Sequence, residues 1–188
     1  MNRKVLLGSN SPRRQELLSG MGIPYEVVHI DCDEHYPSDL SGEDIPKYIA
    51  KEKADAYREQ LHDNELLITA DTIVWVDNEM LGKPHDKQDA MRMLKKLSSN
   101  THQVFTAVCL TTNQAQQVLA DRTDVTFCSL SETEIEQYVN QYMPLDKAGA
   151  YGVQEWIGYV GVQKIVGSFY NVMGLPIHLL YQALQQLN

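Results

Sequence analysis

Cysteine is scarce in this chain: Cys32, Cys109 and Cys128 are the only three in 188 residues. An odd number with no close pair excludes a disulfide framework and a cysteine-based zinc site, and a reducing compartment is the simplest reading. Long apolar runs are missing too. The first, Val5-Leu6-Leu7, is far too short for the core of a secretory signal, and nothing approaches the roughly 20 apolar residues of a membrane span. A cytoplasmic protein with no membrane partner is expected. Basic residues are in the minority, 16 against 25 acidic ones, for a net charge of −9. The chain as a whole repels a nucleic-acid backbone, so DNA and RNA are not expected partners. An anionic ligand has to meet a local cluster of Lys and Arg, or a bridging cation. Also missing are the Walker sequence GxxxxGK[ST], the HExxH of zinc hydrolases, EF-hand ligand spacing, internal repeats and low-complexity linkers.

What is present suits one domain over residues 1–188, or two intimate lobes: 43% hydrophobic and 22% charged residues are ordinary globular values. Residues 4–7 read as a strand running into Gly8, and Ser11-Pro12 as the cap and first position of a helix that buries Leu17 and Leu18. A second strand is expected at 25–29. Ser41 with Asp44 starts a long helix marked by Ile45, Tyr48, Ile49 and Tyr57 and ending near Leu61. Residues 66–70 and 73–76 are β-rich runs split by Asp71-Thr72, followed by a turn at Asp77-Asn78. A helix at 87–97 precedes strands at 104–111 and 118–127, which form a hairpin through Thr112-Asn113. Ser131 and Glu134 make a capping box ahead of the stripe Ile135, Tyr138, Val139, Tyr142, stopped by Pro144. A strand near 159–166 and a last helix through Ile177, Leu180, Leu184 and Leu187 complete the pattern. Helices mixed with strands, one hairpin among them, predict an α/β fold with a mixed sheet.

Three clusters carry chemistry. Ser9-Asn10-Ser11-Pro12-Arg13-Arg14 lies between a strand and a helix start, where free N–H groups and the helix dipole favour an anion and arginine forks match phosphate oxygens. The alternative is an ordinary capped helix with a solvated arginine pair. Asp71-Thr72 ends an apolar run, where open α/β sheets present ligands, and Gly82-Lys83-Pro84 follows with a rigidly framed lysine. A turn or cap residue is the plainer reading of Asp71, and a solvated charge that of Glu34 and Lys53. The run Asp31, Asp33, Glu34 could gather a hard cation. Residues 146–154, Asp-Lys-Ala-Gly-Ala-Tyr-Gly-Val-Gln, combine small residues that permit close backbone approach with a Gln154 amide able to read a base edge. A tight bend with Tyr151 in the core is the alternative there. His102 reads as structural.

These pieces, with Lys53 in Ala50-Lys51-Glu52-Lys53-Ala54, His102-x-Val104-x-Thr106 and Asn171-x-x-Gly174-Leu175-Pro176, occur in the order seen in the Maf family of nucleoside triphosphate pyrophosphatases. Over nearly its whole length the chain resembles that family, in its dTTP/UTP-type branch. Ala107 and Glu155 stand where the family more often has Gly. The resemblance implies a two-lobed mixed-sheet fold of the inosine-triphosphate pyrophosphatase kind with a central cleft. It implies metal-dependent hydrolysis of dTTP and UTP, with modified pyrimidine nucleotides also open, to the monophosphate and pyrophosphate. Under it Asp71 is the catalytic proton acceptor; Ser9, Arg13, Arg14, Lys53 and Lys83 bind the substrate phosphates; and Glu34 with Asp71 holds a divalent cation, Mg²⁺ or Mn²⁺. Arg13, Thr72 and Gln154 set substrate specificity. The partners are nucleoside triphosphates, and a homodimer is left open. A competing reading, also from the resemblance, is a non-catalytic nucleotide-sensing regulator of septum formation; it needs the basic cluster but not Asp71.

Overall fold

The computed structural model describes residues 3–187. In chain order the elements are β1 (Lys4–Leu7), α1 (Pro12–Gly20), β2 (Tyr25–Val27), α2 (Asp44–Arg58), β3 (Glu65–Val76), β4 (Glu79–Leu81) and α3 (Lys87–Leu97). Then follow β5 (Thr101–Thr111), β6 (Gln116–Phe127), α4 (Glu132–Tyr142), a 3-10 turn at Ala148–Ala150, α5 (Trp156–Gly161), β7 (Val162–Val166), α6 (Phe169–Met173) and α7 (Ile177–Gln186). The strands run β2-β1-β3-β5-β6-β7, with β4 on β3. β1 is parallel to β2 and β3, with Val5 opposite Tyr25 and Leu66, whereas β3–β4 and β6–β7 are antiparallel. The expected α/β fold with a mixed sheet is therefore the one the chain adopts. No helix among the described residues is long and apolar enough to cross a membrane.

The chain forms two compact units: residues up to Thr72, Thr106–Asp121 and everything from Gly174 make the first, Ile73–Phe105 and Arg122–Met173 the second. In the first unit β1 is buried on both faces, Val5, Leu6 and Leu7 all being inaccessible, as a central parallel strand requires. Its core joins Leu6, Leu67, Ala107 and Cys109 of the sheet to Ala50, Ala54 and Leu61. The two alanines let α2 sit close to the strands. α2 starts one residue after Glu43, not at Ser41, and ends at Arg58 short of the expected Leu61. Gln60 and Leu61 donate their N–H to Tyr57 and Arg58, a tightening from i→i+4 to i→i+3 that closes the helix while Leu61 stays in the core.

The second unit holds the most local structure. Asp77 and Asn78, at φ 50° and 60°, turn β3 into β4 with the twist a two-residue hairpin needs. Asp86 caps α3 through Asp89 N, and the Ser131–Glu134 capping box opens α4 as expected. The strand expected at 159–166 is shorter, because residues 156–161 coil into α5 first. Gly158 permits that coil: a Cβ there would stand 1.8 Å from the Val153 carbonyl oxygen. His102 is fully buried, edge-on to Phe127 and Tyr151, and exchanges a hydrogen bond with the Tyr151 hydroxyl at 2.7 Å.

Candidate active site

β3 is one unbroken 12-residue strand, so Asp71 and Thr72 lie within it and not at the end of a run that stops at Ala70. A buried acid is tolerated in mid-strand when it is paired. Lys53, reaching from α2, donates to Asp71 Oδ1 at 3.0 Å and lies 2.8 Å from Glu34 Oε1. The Lys53 side chain is only 13% exposed, which removes the reading of a solvated helix charge. Glu34 is the exposed member of the trio. Burial raises the Asp71 pKa above the ordinary carboxylate value, against the pull of Lys53 and Arg14 in the other direction. A carboxylate held this way suits proton transfer.

The loop between β1 and α1 is drawn close to β3. Gly8 donates to the Ile68 carbonyl at 2.8 Å, and a Cβ at Gly8 would come within 2.4 Å of Ile30 and 2.9 Å of Thr69. Ser11 occupies the N-cap of α1 without a side-chain cap bond, and its own N–H donates to Ser9 Oγ at 3.3 Å. The first turn of α1 carries Arg13 and Arg14 and no acid, an arrangement the helix dipole disfavours. That cost argues for a use. Arg14 is half-buried, and its guanidinium donates to the Gly174 carbonyl (2.8 Å), the Ala70 carbonyl (2.9 Å), Thr72 Oγ1 (3.1 Å) and Ser9 Oγ (3.3 Å). Thr72 Oγ1 lies 3.0 Å from Thr106 Oγ1. The first unit thus brings together Ser9, Arg14, Glu34, Lys53, Asp71 and Thr72, with Arg13 next to Arg14 on α1. Lys53 and Arg14 both attract the Asp71 carboxylate there, in a chain whose net charge is −9.

Among the described residues no group of three or more His, Cys, Asp or Glu side chains could by itself hold a metal ion. Glu34 and Asp71, however, direct carboxylate oxygens at one positive charge, the Lys53 ammonium. A hard divalent ion such as Mg²⁺ takes one or two protein carboxylates and completes its shell with water and substrate phosphate oxygens. The donor set fits that kind of ion and no all-protein cage.

Lys83 and Gln154 belong to the second unit. Lys83 is exposed in the bend after β4, where the Gly82 carbonyl accepts from Gly149 N at 3.0 Å. Gly149 has φ 67°, and a Cβ there would be 2.8 Å from Val74, so the bend needs glycine twice over. Gln154 sits in a turn closed by Glu155 N donating to the Gly152 carbonyl at 3.0 Å. Its Oε1 is buried without a hydrogen-bond partner. The turn is held by groups to which the sequence assigned no such role. The Tyr138 hydroxyl donates to Glu155 and accepts from Gly152 N at 3.0 Å, and the buried Lys147 ammonium lies 3.2 Å from Glu155 and 2.7 Å from Asp146. Glu155 anchors this network. Tyr138 read from the sequence as one more apolar position of an α4 stripe, and periodicity carries no mark of where a hydroxyl ends.

A family model described as Maf-like protein matches residues 4–187. The dTTP/UTP pyrophosphatase of Bacteroides thetaiotaomicron is 58% identical over 185 residues, covering 98% of this chain and 96% of that protein. The protein of the same name from Porphyromonas gingivalis is 52% identical over 97% of this chain and 93% of its own length. That from Flavobacterium psychrophilum is 47% identical over 96% and 92%. Among solved structures, the Staphylococcus aureus Ham1 protein aligns over 99% of this chain and 100% of its own with a TM-score of 0.55 at 15% identity, a likeness of fold. Motifs in order, a family model spanning nearly the whole chain and relatives above half identity agree: the chain belongs to the Maf family.

Proposed function

We propose that this protein is a nucleoside triphosphate pyrophosphatase that hydrolyses dTTP and UTP to the monophosphate and pyrophosphate. The observation that carries the reading is the buried Asp71 held by Lys53 beside Glu34, in the same unit as the serine and arginines at the start of α1. Such an arrangement supplies an ionisable acceptor for a proton and cationic groups for polyphosphate, the two things anhydride hydrolysis needs. The relatives named dTTP/UTP pyrophosphatase narrow the substrate.

Water adds across the α–β anhydride: a new P–O bond forms, the bridging P–O bond breaks, and pyrophosphate leaves with the electron pair. Asp71 takes the proton from the attacking water. Lys53 keeps the carboxylate oriented and offsets charge on the phosphates. Ser9, Arg13 and the start of α1 hold phosphate oxygens, with Lys83 assigned the same task on family grounds. Glu34 and Asp71 would hold Mg²⁺ or Mn²⁺, which when bound neutralises phosphate charge and makes water more acidic. Thr72, Arg13 and Gln154 are assigned to selectivity. The unsatisfied Oε1 of Gln154 supports that assignment, since thymine and uracil both present an N3–H donor.

The test is a pyrophosphate-release panel over dTTP, UTP, CTP and 7-methylguanosine triphosphate, with and without Mg²⁺ or Mn²⁺. Metal-dependent release from dTTP and UTP ahead of the others supports the reading. Release of orthophosphate, or preference for the methylated purine, overturns it; binding without turnover would favour the non-catalytic regulator.

A further inference from the structure

The Arg14 guanidinium points four of its five N–H groups at protein acceptors, and their placement is specific. Two of the acceptors, the Ala70 carbonyl and Thr72 Oγ1, flank Asp71 on β3. A third, Ser9 Oγ, belongs to the loop before α1, and the fourth, the Gly174 carbonyl, lies 160 residues further along the chain. Gly174 has φ 111°, where an L side chain is strained, and a Cβ there would sit 3.4 Å from Thr72 Oγ1 and 3.7 Å from Arg14 Nε. The backbone at 174 is thus shaped to bring its carbonyl to the guanidinium edge.

We infer that Arg14 is a positioning residue, a planar clamp that fixes Ala70-Asp71-Thr72 against the Ser9 loop and the Gly174 backbone, and that it does not serve as a phosphate ligand. The inference rests on the proposed pyrophosphatase reading and reassigns one residue within it. A guanidinium presents five donors in one rigid plane and can serve acceptors on three of its edges at once. A lysine ammonium carries the same charge but gathers its donors at one point, so it can serve a phosphate and cannot serve this set of acceptors. Arg13, its neighbour on α1, remains the arginine of this turn for phosphate.

The difference is measurable with Arg14→Lys. If Arg14 positions Asp71, the variant keeps KM for dTTP within about threefold and binds the non-hydrolysable α,β-methylene analogue as wild type does. Its kcat falls about 10²-fold, the usual cost of a misplacement near 1 Å. A merely structural role would lower thermal stability without this split between KM and kcat. A tenfold or greater rise in KM with kcat preserved would make Arg14 a phosphate ligand, and unchanged kinetics would remove it from the site; either overturns the inference. Gly174→Ala gives a second readout should Arg14→Lys fail to fold: charge and fork stay, the acceptor is displaced, and kcat is expected to fall with KM kept. Unaltered kcat in Gly174→Ala counts against the clamp. Wild-type protein that releases no pyrophosphate would instead remove the proposed function, so the two failures are distinct.

Discussion

Two buried ionisable residues, Asp71 and His102, illustrate opposite ways of keeping a polar group inside. Asp71 has cationic company, and its pairing with Lys53 lets an acid occupy the middle of a strand. Asp71→Asn removes the proposed proton acceptor at nearly constant shape. Folding and nucleotide binding should survive while turnover drops by about 10²–10⁴, the usual contribution of a positioned base; single-turnover kinetics beside a binding isotherm check it. His102 has no such partner. Its Nε2 shares a hydrogen bond with Tyr151, its Nδ1 is buried without one, and burial lowers its pKa from 6.5 to about 4, only weakly opposed by Asp124. The unfolded chain takes up this proton near pH 6.5 and the folded chain does not until about pH 4, so stability is full above the first value and falls as pH drops towards the second. At 1.36 kcal/mol per unit the loss across that window is about 3 kcal/mol. His102→Gln should flatten the dependence, which chemical denaturation of both proteins at pH 7 and pH 4.5 would show as converging stabilities at the lower pH.

At the scale of elements, local chemistry and tertiary partners divide the work unevenly. α4 is closed at its start by its own sequence: Ser131 accepts from Glu134 N and the Glu134 carboxylate accepts from Ser131 N. Ser131→Ala should therefore cost about 1 kcal/mol, read as a lowered denaturation midpoint with unchanged denaturant dependence. α1 is the contrary case. Its capping serine makes no cap bond and its first turn is basic, so the helix end is shaped for something other than its own stability. β3 shows how far a partner can override a local signal. An Asp-Thr pair between two apolar runs reads as a break, yet the ladder continues because Lys53 pairs with the acid and Thr72 bonds to Arg14 and Thr106. α5 went unforeseen for a related reason: Gly158 and Gly161 weaken helix propensity, and the close approach that Gly158 allows to Val153 is invisible in one dimension.

Over the whole molecule, charge and connectivity set different things. With a net charge of −9 the chain should not retain duplex or single-stranded DNA at roughly 150 mM salt; a fluorescence-anisotropy titration showing micromolar binding under those conditions would contradict this. Family membership was legible because many separated motifs keep their order, and order is a property of the chain itself. So were the boundaries of α3, the Asp77-Asn78 turn and the capping box of α4, since each depends on residues within a few positions of one another. Which charges would be buried, and what each would face, was not legible. Arg14 and Gly174 are 160 residues apart, Arg14 and Ala70 are 56 apart, and Lys53 and Asp71 are 18 apart on different elements. Sequence alone could name Arg14, Lys53 and Asp71 as candidates from their residue types and motifs. Only the tertiary structure decided that Lys53 is shared by two carboxylates, that Asp71 lies inside a strand and that the fork of Arg14 is spent on protein acceptors. The physical reason is that periodicity and capping are short-range, whereas the desolvation and pairing of a charge depend on whatever the fold places opposite it.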